Sequence, residues 1–197
     1  MFKQQKSMKK ITILTITLLS VAGSGFAQDW IWDNIHSQLN FAVTHNTINE
    51  FDGNFTTVSA KMAASKEDLS DAQITLTADI NSINTGNEAR NNHLKSDAFF
   101  DAGKFATLTF TSTSFEKVEG KNYRLSGNLT LHGVTKPVVL DVVFNGTVAN
   151  PMNKKTTAGF KVTGRIRRSD FGLGPDLPVS VVSDDVVING NAEFVKS

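Results

Sequence analysis

The chain has 197 residues, 20 Lys+Arg against 19 Asp+Glu, and no cysteine, which removes thiol nucleophiles, iron–sulfur clusters and Cys-rich zinc sites. Four of the lysines, Lys3, Lys6, Lys9 and Lys10, precede a short apolar run; without them 16 cationic residues face 19 anionic ones, a net charge of −3. A mildly acidic chain with no basic run has no electrostatic footprint for nucleic acid and no polybasic patch for a membrane surface.

The first 27 residues read as a secretory leader. The four lysines are followed by an apolar core from Ile11 to Leu19, and Gly25-Phe26-Ala27 offers small residues at the cleavage positions. That core is about nine residues long, against the ~20 needed to span a bilayer, so no integral membrane segment is expected after cleavage. The expected destination is periplasmic or secreted. Residues 28–197 then form one domain.

Alternation dominates from there on. Leu39, Phe41 and Val43 share one face of the first clear strand, and Ile74, Leu76, Ala78 and Ile80 share one face of a later one. Asn87 to Ser96 breaks the pattern as a short helix carrying Arg90 and His93, followed by Phe99-Phe100 and a strand through Leu108 and Phe110. Ordinary hairpin loops need only a few residues, so this insertion is expected to cover or grip something. Tyr123 to Leu131, Val138 to Val148, Phe160 to Arg167 and Val186 to Val195 complete the alternating runs. Asp52-Gly53, Gly120-Lys121, His132-Gly133, Asn150-Pro151 and Gly172 to Pro175 mark turns. About eight long strands suit a closed antiparallel barrel, which leaves no exposed edge.

Fourteen phenylalanines against one tyrosine give the interior bulk without hydroxyls. Small residues stand among large ones at Leu125-Gly127-Leu129, Val162-Gly164-Ile166 and Phe144-Gly146. Such a register serves a barrel with room for a ligand and an interlocked solid core equally well. His36, His45, His93 and His132 show no metal-ligand spacing, and no metal is expected. Neither a nucleophile elbow nor a glycine-rich phosphate loop is present, and no catalytic residue is assigned.

Seven phrases in order carry a resemblance. They are His36-Ser37 with Phe41-x-Val43-x-His45, then Gly53-x-Phe55, then Ser82-Ile83-x-Thr85. Arg90-x-x-His93-Leu94-Lys95-Ser96-x-x-Phe99-Phe100-Asp101 and Phe105-x-x-Leu108-x-Phe110 follow. Gly127-x-Leu129-Thr130-Leu131-x-Gly133-Val134-Thr135-Lys136-Pro137 and Arg168-Ser169-Asp170-Phe171-Gly172 complete the set. Together they resemble the YceI-like family of periplasmic polyisoprenoid-binding proteins. Lys104-Phe105-Ala106 replaces the proline-bearing version common there, and, as a second departure, the stretch after Gly172 is short and proline-rich.

The resemblance implies an all-β, extended lipocalin-like, eight-stranded antiparallel barrel with a short α-helix inserted between strands. It also implies a long apolar ligand, such as a polyisoprenoid, a prenyl quinone or a fatty acyl amide, held inside for transport, storage or stress protection. No cofactor other than that lipid is expected, and a homodimer is left open. The expected lining is Leu39, Phe41, Val43, Phe55, Leu76, Ile80, Leu94, Phe99, Phe110, Leu129, Phe144, Phe160, Ile166 and Phe171. His45, Arg90, His93, Arg168 and Asp170 are candidates for meeting a head group or fixing the lid, and docking is the favoured role of Arg90 and His93. Two rivals stand beside this reading: an enzyme acting on a lipid at the barrel mouth, and an interaction module with a filled barrel.

Overall fold

The computed structural model describes residues 27–197. The leader read over residues 1–27 lies, except for Ala27, outside the described residues. The described chain forms β1 (Gln28–Trp32), β2 (Gln38–His45), β3 (Asn49–Phe55), β4 (Val58–Ala64), β5 (Gln73–Asp79), β6 (Ile83–Asn84), α1 (Glu88–Lys95), β7 (Thr107–Glu119), β8 (Asn122–Leu131), β9 (Val134–Ala149), β10 (Thr156–Arg167) and β11 (Val182–Lys196). Every pairing is antiparallel, and β1 against β11 closes the ring.

Eleven strand segments make eight staves, because three staves are broken in two. β11 pairs with β1 over its last residues and with β2 over its first, so β1 and β2 are successive halves of one stave. β3 and β4 divide the next stave in the same way, and β5 and β6 the third. β7 to β11 are long and continuous, as their unbroken alternation requires.

Small polar side chains make the breaks. After Trp32, Asp33 Oδ1 accepts the backbone N–H of Ile35 (2.8 Å), and its other oxygen pairs with His36 Nδ1 (3.0 Å), turning the chain out of the ladder. Ser37 is buried there; its hydroxyl accepts from Glu193 N (2.8 Å) and donates to Glu193 O (3.3 Å). It serves the two β11 backbone groups that the missing ladder residue would have paired. Ser82 serves the two other breaks together, accepting from Thr57 N (3.0 Å) between β3 and β4 and donating to Asp79 O (2.7 Å) between β5 and β6.

Direction along the staves gives the barrel two unlike ends. One end, the base, holds the β4–β5, β7–β8 and β9–β10 turns and both ends of the described chain. The other, the mouth, holds the β2–β3 hairpin, the segment from Thr85 to Ala106 with α1, the β8–β9 turn and the long β10–β11 loop. α1 covers the position read from sequence, with Asn87 as its cap: Asn87 Oδ1 accepts Arg90 N at 2.9 Å. It buries no residue fully. A helix of eight residues is marginal alone, and it is held by Leu94, by the Phe100 N–H donating to Leu94 O (3.0 Å), and by Arg90. Among the described residues no helix is long and apolar enough to cross a membrane.

Three expected lining residues lie elsewhere. Ile80 leaves the strand register because Asp79 caps a 3-10 turn over Ile80–Ser82, which puts its side chain at 1% exposure in the core. Phe171 is equally buried in the 3-10 turn Arg168–Phe171, where His132 Nδ1 donates to its carbonyl (3.1 Å). Phe144 faces inward at the Gly159/Phe160 bulge, low in the barrel, where its ring stacks on Phe160 at 5.2 Å and closes the bore instead of lining it.

Candidate functional site: an apolar cavity closed at one end

The upper barrel surrounds a cavity of about 530 Å³. Its wall is built from the inward registers of almost every stave. Leu39, Phe41 and Val43 come from β2, Phe55 from β3, Leu76 from β5, Phe110 from β7, and Leu125 and Leu129 from β8. Leu140 comes from β9, Phe160, Val162 and Ile166 from β10, and Val186 and Ile188 from β11. Leu39, Phe41, Val43, Val162, Ile166, Val186 and Ile188 are only half-buried although they point inward. An inward aliphatic group stays accessible only when no atoms stand opposite it, so the wall is packed on its back and bare at its front.

The floor is aromatic. Phe115 stacks on Tyr123 at 4.8 Å, Phe160 meets Phe115 edge-on at 6.3 Å, and Phe194 joins Phe160 at 6.0 Å and Trp32 at 5.7 Å. The one tyrosine of the interior is satisfied: its hydroxyl donates to Asp68 O at 2.8 Å. Bulk without spare polar groups is what a dry floor requires.

The glycines among large residues do not create the space. A Cβ on Gly127 would lie 2.3 Å from Phe110 Cζ, one on Gly164 2.3 Å from Leu140 Cδ2, and one on Gly53 2.3 Å from Phe41 Cζ. Each glycine lets a neighbouring side chain lie across the backbone. The interlocked reading of that pattern is right locally, and the hollow comes from the width of the eight-stave ring.

The mouth gathers the polar groups. Arg90, His93, Leu94, Phe99 and Phe100 come from α1 and the segment after it, His45 and Phe51 from the β2–β3 hairpin, and Leu173, Leu177 and Arg168 from the β10–β11 loop. Arg90 donates from Nε to Thr85 Oγ1 (2.8 Å) and from Nη2 to Thr85 O (2.6 Å), with its Cζ 4.6 Å from the centre of the Phe51 ring. The His45 ring lies 5.0 Å from the same phenylalanine, and His93 sits edge-on to Phe99 at 5.1 Å.

Arg168 behaves differently. It is 5% exposed, and its guanidinium donates to five carbonyls: Ser183 (3.3 Å), Leu173 (2.9 Å), Gly174 (2.7 Å), Leu177 (2.6 Å) and Val182 (3.3 Å). All five N–H groups of the fork are used, so this residue ties down the β10–β11 loop and has no donor left for a ligand. Asp170 lies off the cavity, exposed, and holds Arg167 through two contacts of 3.1 and 3.2 Å.

The groups with displaced pKa values are not among the lining residues, although one of them, Tyr123, stacks on Phe115 in the floor. Hydrogen bonds from His36 and from Ser70 hold Asp33 and Asp68, respectively, below the usual carboxylate range. Burial pushes Asp71 and Asp184 up, but bonds from Ser65 and Lys66 to Asp71 and from Ser169 to Asp184 outweigh it and leave both lowered. Asp33 raises His36, and burial raises Tyr123. Asp33, His36 and Glu193 bring ligand-type atoms within 4.8 Å of one another at the β1–β2 break, outside the cavity, with Asp33 already committed to its turn.

The comparisons with known proteins agree with this architecture. The family model described as YceI-like domain matches residues 30–194. The chain belongs to the YceI-like family. A protein named YceI from Salmonella arizonae is 35% identical over 182 residues, covering 88% of this chain and 91% of its own. The crystal structure of a Campylobacter jejuni YceI protein matches with a TM-score of 0.71 and 33% identity, over 76% of this chain and 87% of that one. A domain from Saccharophagus degradans, described as polyisoprenoid-binding, shares the fold with a TM-score of 0.63 at 20% identity, over 85% of this chain and 98% of its own.

Sequence reasoning left Leu125, Leu140, Val162, Val186 and Ile188 out of the wall although they follow the alternation, and it also missed Phe51, Trp32, Leu173 and Leu177 in the lining. Phe51 was within reach, since Phe51, Gly53 and Phe55 alternate. Leu173 and Leu177 sit in an aperiodic loop, and only Arg168 turns them inward.

Proposed function

We propose that this protein is a periplasmic or secreted carrier that holds one long apolar molecule, a prenyl or acyl chain, in the upper barrel. The observation that supports this reading is the 530 Å³ cavity with an almost wholly hydrocarbon wall whose inward side chains have nothing packed against them. Small-molecule sites run from about 300 to 1,000 Å³. An apolar cavity of about 150 Å³ takes benzene, so by proportion this one takes on the order of twenty carbons. Burying them at ~0.8 kcal/mol each gives roughly 16 kcal/mol gross, against an association cost of about 4–15 kcal/mol. Chains much shorter would be held weakly.

Binding is favoured over turnover because, among the described residues, the lining brings no nucleophile and base, and no acid and base, within hydrogen-bond reach of each other. It is favoured over a filled interaction module because only the base of the barrel is plugged. A neighbour of the same fold is described as polyisoprenoid-binding, which is the ligand class this wall would suit. Export is supported by the leader-like layout of residues 1–27.

The test is direct. Protein purified from cell extract without detergent is extracted with organic solvent, and the extract is analysed by mass spectrometry. One prenyl or acyl compound per chain is expected; chemically altered product accumulating with time would favour an enzyme, and an empty extract would favour the interaction module. Fractionation with N-terminal sequencing should find Gln28 as the first residue.

A further inference from the structure

Gln38 and Asn40 are polar residues of the lining lower down, but its charged groups lie at the mouth, and one of them has no counter-charge beside it. Arg90 makes no ion pair among the described residues. Thr85 takes one N–H from Nε and one from Nη2, and Nη1 has no hydrogen-bond partner among the described residues. Asp52 is the one carboxylate in the lining; it is exposed, on the outward register of β3 beside Ala42, and does not pair with Arg90.

We propose that Arg90 is the anion-binding pole of the cavity: it takes the acidic oxygens of a lipid head group, so that the chain lies with its tail on the aromatic floor. This rests on the lipid-binding reading above and adds head-group class and direction to it. Thr85 fixes one edge of the guanidinium and the Phe51 ring lies against its face, which leaves the Nη1 edge unused. Thr85 is itself fixed, because its N–H and hydroxyl both donate to Asn91 Oδ1 at 2.8 and 2.7 Å. A guanidinium held still, with one edge free and no carboxylate to neutralise it, is a receptor for phosphate or carboxylate oxygens. His45 and His93 flank it as further donors. Arg168, the other arginine of the lining, has no free donor, so the pole is Arg90 alone.

The experiment uses delipidated full-length mature protein and four C20 probes: geranylgeranyl phosphate, arachidate, geranylgeraniol and geranylgeranylamine. Binding is read from quenching of tryptophan emission, since Trp32 is part of the lining. Phosphate and carboxylate should bind about tenfold to a hundredfold more tightly than the alcohol, the usual worth of a charged hydrogen bond, and the amine more weakly than the alcohol. Whichever acid binds tighter separates a prenyl phosphate from a fatty acid as the natural head. Arg90→Met should bring the ratio of acid to alcohol binding down to about one, whatever it does to the affinity for the alcohol itself. Should Arg90→Met bind nothing, Arg90→Lys decides: it must bind the alcohol normally and retain part of the preference for acids. Equal binding of acid and alcohol by the natural protein, or a preference that survives Arg90→Met, overturns the pole and leaves the carrier standing. Failure of all four probes overturns the carrier itself.

Discussion

The base and the mouth of this barrel are made from the same staves and the same alternation, yet one is solid and the other hollow. At the base, Phe115, Phe144, Phe160 and Phe194 come from β7, β9, β10 and β11 and their rings meet across the bore. Above that floor β9, β10 and β11 carry Val138, Val162, Ile166, Val186 and Ile188, which are too short to meet, and the Phe41 and Phe110 rings lie against Gly53 and Gly127. Below the polar rim of the mouth, reach and not polarity separates the hollow part of the wall from the solid base. A ring of eight staves needs aromatic side chains from several sides to be filled, and aliphatic ones leave it open.

The sharpest way to break that contrast is to shorten the floor. Phe160→Ala removes the ring at the centre of the aromatic cluster, in contact with Phe115, Phe144 and Phe194. Loss of about 3–5 kcal/mol is expected, measured by urea denaturation of the delipidated protein. The survivor should have a deeper bore and accept longer chains. An unchanged chain-length preference would mean that the floor does not set the depth.

Next comes the loop that roofs the mouth. Arg168→Met keeps the stem and deletes the donors to five carbonyls, of which those of Leu173 and Gly174 belong to buried residues. Unpaired buried carbonyls cost about 1–3 kcal/mol each, and local opening will recover part of that by admitting water. A net loss of about 2–4 kcal/mol is expected, with fast amide exchange confined to 172–182. Uniform loss of protection over the barrel would show that the loop and the staves unfold as one.

This second prediction marks the limit of what could be read from the sequence. The eight staves, the helix at Asn87–Ser96 and most of the wall were legible, because period-two alternation survives in long strands and Leu39, Phe41, Val43, Phe110, Leu129 and Ile166 follow it. The breaks within staves were not, since a single hydroxyl such as Ser37 or Ser82 repairs the ladder without disturbing the pattern around it. Ile80 illustrates the cost: one capping aspartate moved it out of register. Arg168 stood in the sequence only as a head-group or lid candidate, beside Arg165 and Arg167, which pair outward to Asp185 and Asp170. Nothing local shows that its neighbour in sequence turns inward.

A milder change separates packing from capacity. Gly127→Ala would place its new methyl against Phe110 Cζ and within 2.6 Å of the Thr111 carbonyl oxygen, which is backbone and cannot move freely. Overpacking of this kind costs about 1–3 kcal/mol. Gly164→Ala meets only Leu140 Cδ2, the end of a flexible side chain that can swing into the empty cavity. The second variant should therefore keep nearly full stability and lose ligand capacity. Equal destabilisation of the two would show that the cavity wall cannot yield.

The smallest effect tests the two ends by pH. At the mouth, Asp184 accepts the N–H (2.9 Å) and the hydroxyl (2.8 Å) of Ser169; these bonds, with Arg168 and Arg167 nearby, overcome the upward push of burial and leave its carboxyl below the ordinary 3.8. A carboxylate lowered on folding contributes stability that is complete above about pH 3.8 and disappears as pH falls through the lowered value. At the base, Asp33 is lowered and His36 raised by their mutual bond. The Asp33 part is likewise lost on acidification, whereas the His36 part is complete below about pH 6.5 and is lost as pH rises through the raised value. The His36 side of that pair is largely solvent-facing, so its contribution is small. Asp184→Asn should abolish only the acid-side change in amide exchange of 168–184, and His36→Gln only the change above neutrality at the β1–β2 break. Loss of both by either variant would mean that the solid base and the hollow mouth respond as one cooperative unit, which their different packing argues against.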